Sequence, residues 1–167
     1  MALTTDHILE LIRKKFGEAS AELSDINSSP PCITVGKEFL LQVCEYLKDN
    51  PETSFDMLAC ITGIDNHPAG NTMEVIYHLN SIPNETQLAL RIILDRPVFP
   101  DLPEADSIAS VWSTANWHER ETYDLVGIRF RNHPDLRRIL LPADWTGHPL
   151  RKDYKTDEYY HNVKIDY

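Results

Sequence analysis

The sequence predicts an α+β fold in two layers: a mixed sheet of about five strands with helices on one face, then an irregular C-terminal arm. Three observations carry this. Apolar residues recur at helical spacing in two early segments. They then recur at alternating spacing in successive segments, so strands follow strands instead of alternating strictly with helices. From Asn132 onward, Pro134, Pro142, Gly147 and Pro149 interrupt every pattern, and an irregular stretch of that length is functional or disordered. With 167 residues, 42% hydrophobic and 25% charged, the chain is long enough for one core and too apolar for wholesale disorder.

The elements follow in order. Thr5 to Phe16 places Ile8, Leu9, Leu11, Ile12 and Phe16 at helical spacing before Gly17 stops it. Ala21 to Ile26 and Cys32 to Val35 read as short strands about the turn-forming run Asn27-Ser28-Ser29-Pro30-Pro31. Lys37 to Lys48 is a helix with Phe39, Leu40, Val43, Cys44 and Leu47 on one face, ended by Asn50-Pro51. Phe55 to Ile64 is apolar enough for a central strand, and Thr72 to Leu79 and Gln87 to Leu94 alternate cleanly. The Asp65 to Asn71 loop, with Pro68 and Gly70, suits a hairpin. Prolines 97, 100 and 103 then make a stiff link. Ser107 to Trp112 reads as a short helix and Trp117 to Val126 as a longer one, with Asn116 as N-cap, Glu119 as capping-box acid and Gly127 as C-terminal stop. Ile128 and Phe130 alternate with Arg129 and Arg131. The division expected is a domain over 1–131 and an arm over 132–167.

The net charge is -10, and it is unevenly spread. Residues 1–116 hold 7 basic against 17 acidic groups, whereas 117–155 hold 8 against 6. An acidic body excludes nucleic acid as the main partner, because phosphate binding needs a dense basic surface. One basic segment on such a body suits an acidic protein surface. The N-terminus lacks the basic start and apolar run of a signal peptide, and no apolar run is long enough to span a membrane. Cys32, Cys44 and Cys60 are far apart, without the close pairs of iron–sulfur or zinc sites, and read as reduced, partly buried thiols.

Several chemistries are missing. Six glycines form neither a dinucleotide fingerprint nor a P-loop. His118-Glu119-Arg120-Glu121-Thr122 begins like a zincin helix, but Thr122 occupies the second ligand position. No nucleophile elbow appears. His118, His133 and His148 could serve a free-standing acid–base or metal hydrolase if the fold gathered them, although no spacing among them is diagnostic.

The dense chemistry lies in Trp117 to Ile128, His133 to Leu140 and Gly147 to Tyr154. Arg120 and Asp124 stand four apart and can pair along one helix face, and Glu121 is placed to pair with nearby arginines. Arg137, Arg138 and Arg151 suit carboxylates bidentately, as anchors at a partly buried interface, in a network holding the chain's own arm, or in both at once. The pattern Glu119-Arg120-Glu121, an acid at Asp124, then His133 and the basic and apolar positions to Leu140, resembles the signature of the 30 kDa subunit of respiratory complex I, the NADH:quinone oxidoreductase. Gly147-His148-Pro149-Leu150-Arg151-Lys152-Asp153-Tyr154 resembles that family's second motif in full. Lys155 departs from the proline that many relatives carry. The resemblance runs roughly from residue 55 to 155.

The resemblance implies a scaffold subunit in the peripheral arm of a proton-pumping NADH- or ferredoxin-driven quinone oxidoreductase, non-catalytic within an enzyme complex. It would hold no cofactor, with iron–sulfur clusters and quinone in its neighbours. The partners implied are the large hydrogenase-like subunit and the terminal iron–sulfur subunit. The place implied is the cytoplasmic side of a bacterial inner membrane, reached only through the complex. The matching scaffold subunit of a membrane-bound hydrogenase is the alternative. The signature residues implied for the interface are Glu119, Arg120, Glu121, Asp124, His133, Arg137, Arg138, His148, Arg151, Lys152, Asp153 and Tyr154.

Overall fold

The computed structural model describes residues 3–25 and 28–165. Its order begins with α1 (Thr5–Phe16), β1 (Ala21–Asp25), β2 (Cys32–Val35) and α2 (Leu40–Asp49). The strands β3 (Met57–Asp65), β4 (Thr72–Ser81), β5 (Thr86–Asp95) and β6 (Glu104–Asp106) follow. The chain then runs through α3 (Ala115–Val126), β7 (Arg129–Arg131), β8 (Tyr159–Tyr160) and β9 (Val163–Lys164). Ile26, the expected end of the first strand, and Asn27, the expected start of the turn, lie outside the described residues.

Five strands form one sheet in the order β1-β2-β5-β4-β3. The β2–β5 pair is parallel and the other pairs are antiparallel, so the sheet is mixed as expected. Strand β4 shows why one face is the core: Met73, Val75, Tyr77 and Leu79 are buried while the residues between them are half-exposed. Opposite them across the β4–β5 register stand Leu94, Ile92, Leu90 and Leu88, all buried. Ile8 and Ile12 of α1 and Leu40, Val43, Cys44 and Leu47 of α2 complete the layer.

Two expectations are corrected at helix ends. Helix α2 begins at Leu40 rather than Lys37, its first residues forming a turn closed by Phe39 N–H to Gly36 O. Ser107 to Trp112 is not a helix. It is a turn in which the Val111 and Trp112 amides both donate to Ile108 O, and it leads on from β6, which pairs in parallel with β7. Sequence alone does not show β6, because three residues beside Pro103 carry too short a period to register.

Helix α3 packs on β3 at Gly63, where an added Cβ would lie 2.7 Å from Thr122 Cγ2. Gly127 ends α3 in the left-handed region (φ 77°), the conformation glycine adopts without cost. Among the described residues no helix is long and apolar enough to cross a membrane.

Candidate functional site

The signature residues gather where α3, the ends of β3 and β5, and the arm meet. Three buried carboxylates organise them. The first is Asp124, fully buried on α3. Its Oδ2 accepts the amides of Ile139, Leu140 and Leu141 at 3.0, 2.8 and 2.9 Å, and its Oδ1 accepts Arg138 Nη1 at 2.7 Å. Burial alone would raise its pKa, but these donors outweigh burial and hold it below the ordinary carboxylate range. Arg138 also donates to the carbonyls of Trp145 and Gly147 at 3.0 and 2.8 Å. His148 Nδ1 donates to Asp124 O at 3.0 Å, which makes it the Nδ1–H tautomer. Burial, then the charges of Arg138 and Arg151, push its pKa down. One residue of α3, through its carboxylate and its main-chain carbonyl, thus gathers the arm from 138 to 148.

The second is Asp65, at the end of β3. Arg96, just past β5, holds it with two bonds of 2.7 and 3.0 Å. The amides of Lys152 and His67 add 2.9 and 3.1 Å bonds. Arg96 also bridges to Asp153 at 3.0 Å, and Asp153 takes Arg151 Nε at 3.0 Å. Arg151, with Arg96 behind it, pulls the Asp153 pKa down to about 2. This second fastening reaches the arm at 151–153, so the chain from Asn132 to Asp153 is irregular in backbone yet tied by side chains to the sheet and to α3.

The third is Glu119, also fully buried. Its carboxylate accepts Ser107 Oγ at 2.6 Å and the Ile108 amide at 2.8 Å. Burial drives its pKa up to about 7 against these two bonds. His133 Nε2 lies 3.8 Å away and donates to Asn116 O at 3.1 Å, while its Nδ1 accepts the Asp135 amide at 3.0 Å.

These contacts correct three local expectations, for Glu119, Arg120 and Glu121, and show the intramolecular contacts of the arginines. Glu119 does not cap its own helix: α3 starts at Ala115, Asn116 lies inside it, and Glu119 holds the 107–112 turn. Arg120 does not pair with Asp124. It donates to the carbonyls of Arg137 and Arg138 at 3.1 Å each and lies over the Trp117 ring at 5.6 Å, because Arg138 already occupies Asp124. Glu121 is exposed and forms no ion pair among the described residues. Of the three arginines read as anchors, Arg138 and Arg151 are committed to the chain's own network, and Arg137 alone is exposed, paired locally with Asp135. Lys152 is exposed, while Tyr154 accepts Trp145 Nε1–H at 3.1 Å.

Sequence reasoning missed Asp65, Arg96 and Ser107. For Asp65 and Arg96 the available signal was a charge closing each of two apolar strands, where a buried ion needs a partner. It also missed Asp144, which accepts Tyr160 Oη–H and bonds His161 Nε2 at 2.9 and 2.8 Å and so folds the β8–β9 hairpin back. The described residues hold no group of three or more His, Cys, Asp or Glu placed for a metal. His133 and His148 serve different carboxylate clusters.

The family model described as respiratory-chain NADH dehydrogenase, 30 Kd subunit, matches residues 33–160. An NADH-quinone oxidoreductase subunit of Chlorobium phaeobacteroides is 37% identical over 158 residues, covering 95% of this chain and 93% of that protein. The protein of the same name in Geotalea uraniireducens is 41% identical over 143 residues, covering 86% and 83%. Among solved structures, a trypsin-resistant fragment (1-134) of Nqo5 aligns with a TM-score of 0.61 and 26% identity, over 78% of this chain and 98% of that one. A chain of the membrane-bound sulfane sulfur reductase, an archaeal respiratory membrane complex, aligns with a TM-score of 0.72 at 19% identity, over 90% and 85%, a likeness of fold alone.

Proposed function

Because the chain belongs to the 30 kDa subunit family of respiratory-chain NADH dehydrogenase, we propose that it is a scaffold subunit in the peripheral arm of a quinone-reducing complex, without a redox centre or catalytic residue of its own. Its docking sites are the large hydrogenase-like subunit and the terminal iron–sulfur subunit, which carry the clusters and the quinone site. It sits on the cytoplasmic side of the bacterial inner membrane through that complex.

One observation carries this reading. The charged residues of the two signature motifs are largely consumed in holding the arm against the domain: Asp124 has four donors, Arg138 four acceptors, and Arg151 a carboxylate and a carbonyl. Side chains so committed fix a shape and leave little for a reaction. The two-part organisation, 1–131 and 132–167, belongs to the same reading. The arm is fastened as far as Asp153, and beyond it Tyr159 and Val163 point outward, both exposed, as interface anchors do. A trypsin-resistant fragment in the Nqo5 relative supports a compact body with a more open remainder. Exposed Trp117, Arg137, Leu140 and Lys152 continue the outward surface.

The test is purification of the tagged full-length protein from its native membranes in mild detergent, with mass spectrometry of what accompanies it. Stoichiometric large and iron–sulfur subunits, with the redox centres in those partners, are expected. A protein that comes away alone, or one that carries iron after release from its partners, overturns the reading.

A further inference from the structure

Glu119 is fully buried, and among the described residues no arginine or lysine pairs with it. Its two donors, Ser107 Oγ and the Ile108 amide, are both neutral. A buried charge without a counter-ion is costly, and its pKa rises to about 7 for that reason. The proton on this carboxyl therefore comes and goes around neutrality.

Most groups packed around it do not follow. Burial, then the Glu119 charge, pushes up the Cys44 thiol of α2 and the Tyr77 hydroxyl of β4, and both keep their protons. Asp106 of β6 is paired with Arg131 at 2.9 Å, and Lys48 of α2 donates to Val111 O. Arg120, next on α3, is turned to the carbonyls of Arg137 and Arg138.

The remaining neighbour is His133, whose ring is as inaccessible as the carboxylate. Its Nε2 donates to Asn116 O at 3.1 Å and stands 3.8 Å from Glu119 Oε2, while Nδ1 accepts the Asp135 amide at 3.0 Å. One N–H thus lies between two acceptors, and an approach of about 1 Å would turn the longer distance into an ordinary hydrogen bond. Asn116 O lies inside α3 and keeps its intrahelical amide when the ring leaves it. A proton on Nδ1 would face the Asp135 N–H, so the ring answers a charge on Glu119 by moving. What moves the ring moves the corner behind it. The Arg137 amide donates to Asp135 O at 3.0 Å, and Arg137 Nε donates to Asp135 Oδ2 at 2.9 Å.

We propose that Glu119 and His133 form a proton-operated switch: with Glu119 neutral the His133 Nε2–H stays on Asn116 O, and with Glu119 ionised it passes to Glu119 Oε2 and draws the 133–137 corner of the arm toward α3. The switch is a property of the chain itself and does not depend on the assembly reading. Asp135 and Arg137 are exposed, so the state of a core carboxyl sets the position of charges on the outer surface.

The test is nuclear magnetic resonance of the ¹⁵N-labelled full-length chain. The Ile108 amide reports on Glu119, the Asp135 amide on the corner, and long-range ¹H–¹⁵N couplings on the His133 tautomer. The titration runs from about pH 5.5 to about pH 8.5, a range that also reveals any imidazolium. Ile108, Asp135 and the His133 ring nitrogens are expected to shift together with one midpoint at about 7, the ring keeping Nε2–H at both ends. Glu119→Gln is expected to abolish the Asp135 and His133 shifts. A second variant, His133→Gln, keeps a donor near the Nε2 position and removes the Nδ1 acceptor. It is expected to leave the Ile108 titration in place and to abolish that of Asp135, and it decides the matter where Glu119→Gln does not fold. Four results overturn the switch: an Asp135 amide fixed while Ile108 titrates, one that keeps that midpoint in either variant, an imidazolium signature at His133, or no titration of Ile108 in this range.

Discussion

At the residue scale, Glu119 is the most informative side chain. A carboxyl whose folded pKa is raised to about 7 from an ordinary 4.5 binds its proton more tightly folded than unfolded. The folded state therefore gains from Glu119 at low pH. That gain is lost as pH rises from the unfolded to the folded value, and above about 7 the cost is complete. The window spans roughly 2.5 units, or about 3 kcal/mol as an upper figure. His148 works the other way: its depressed pKa withdraws stability as pH falls below its ordinary value of 6.5. The comparison must cancel that, so the quantity to measure is the stability difference between the wild type and Glu119→Gln by urea denaturation from pH 8 to pH 5. Wild type is expected to gain on the variant by about 2–3 kcal/mol across that range. A difference that does not move with pH shows that Glu119 stays charged throughout. Glu121, two residues away and exposed, lies outside this chemistry, and its charge concerns the outer surface only.

At the element scale, α3 is held by shape as well as by charge. Glycine inside a strand lowers strand stability, yet Gly63 lies in the middle of β3 because α3 crosses there and Thr122 needs the space. Gly63→Ala places a methyl against a buried, short side chain that cannot swing away. The expected loss is about 1–3 kcal/mol, the ordinary cost of overpacking, read as a fall in the thermal midpoint. A midpoint within error of wild type shows that the helix can lift off the sheet without penalty. The same crossing explains why Asp124 and Glu119 stay buried: they flank Thr122 on a helix whose approach to the sheet is fixed.

At the scale of the whole molecule, the arm has an inner stretch tied by side chains to α3 and to the end of β3 and an outer stretch with fewer ties. Asp65 and Asp124 stand on different elements, and each binds arm amides directly. Among the described residues, Asp144 and the tilted contact of Trp145 with Tyr160 at 5.2 Å hold the β8–β9 hairpin past Lys155. Trypsin acting on the free protein is therefore expected to cut first at Lys155 and Lys164, both exposed, and to leave the chain through Lys152 intact. The same sites are expected to resist in the assembled complex, where a partner surface offsets the entropy of ordering the outer arm, about 1–2 kcal/mol per residue. Mass spectrometry of the early products checks this. Early cleavage between Arg131 and Arg138 in the free protein shows that the two fastenings do not hold the arm in solution, and equal resistance in both states shows that the outer arm belongs to the protein's own core.

The sequence by itself determined the layered architecture. The periods of α1, α2, β4 and β5 are long and regular, and hydrophobic burial acts on every residue of such a run, so the pattern survives whatever surrounds it. It also carried the family resemblance, because Glu119 to Leu140 and Gly147 to Tyr154 are contiguous strings. It could not assign charge partners. Arg120 and Asp124 satisfy the helical spacing rule, but Arg138 enters from the arm and takes Asp124 first. Glu119 stands where a capping acid would, but Ser107 and Ile108 reach it from an earlier turn. A hydrogen bond depends on which donors the folded chain brings within about 3 Å, and donors separated by eleven to eighty-seven residues leave no periodic trace. Only the tertiary structure decided which groups Asp124, Arg138 and Arg151 meet within the chain, because those groups converge from separate segments.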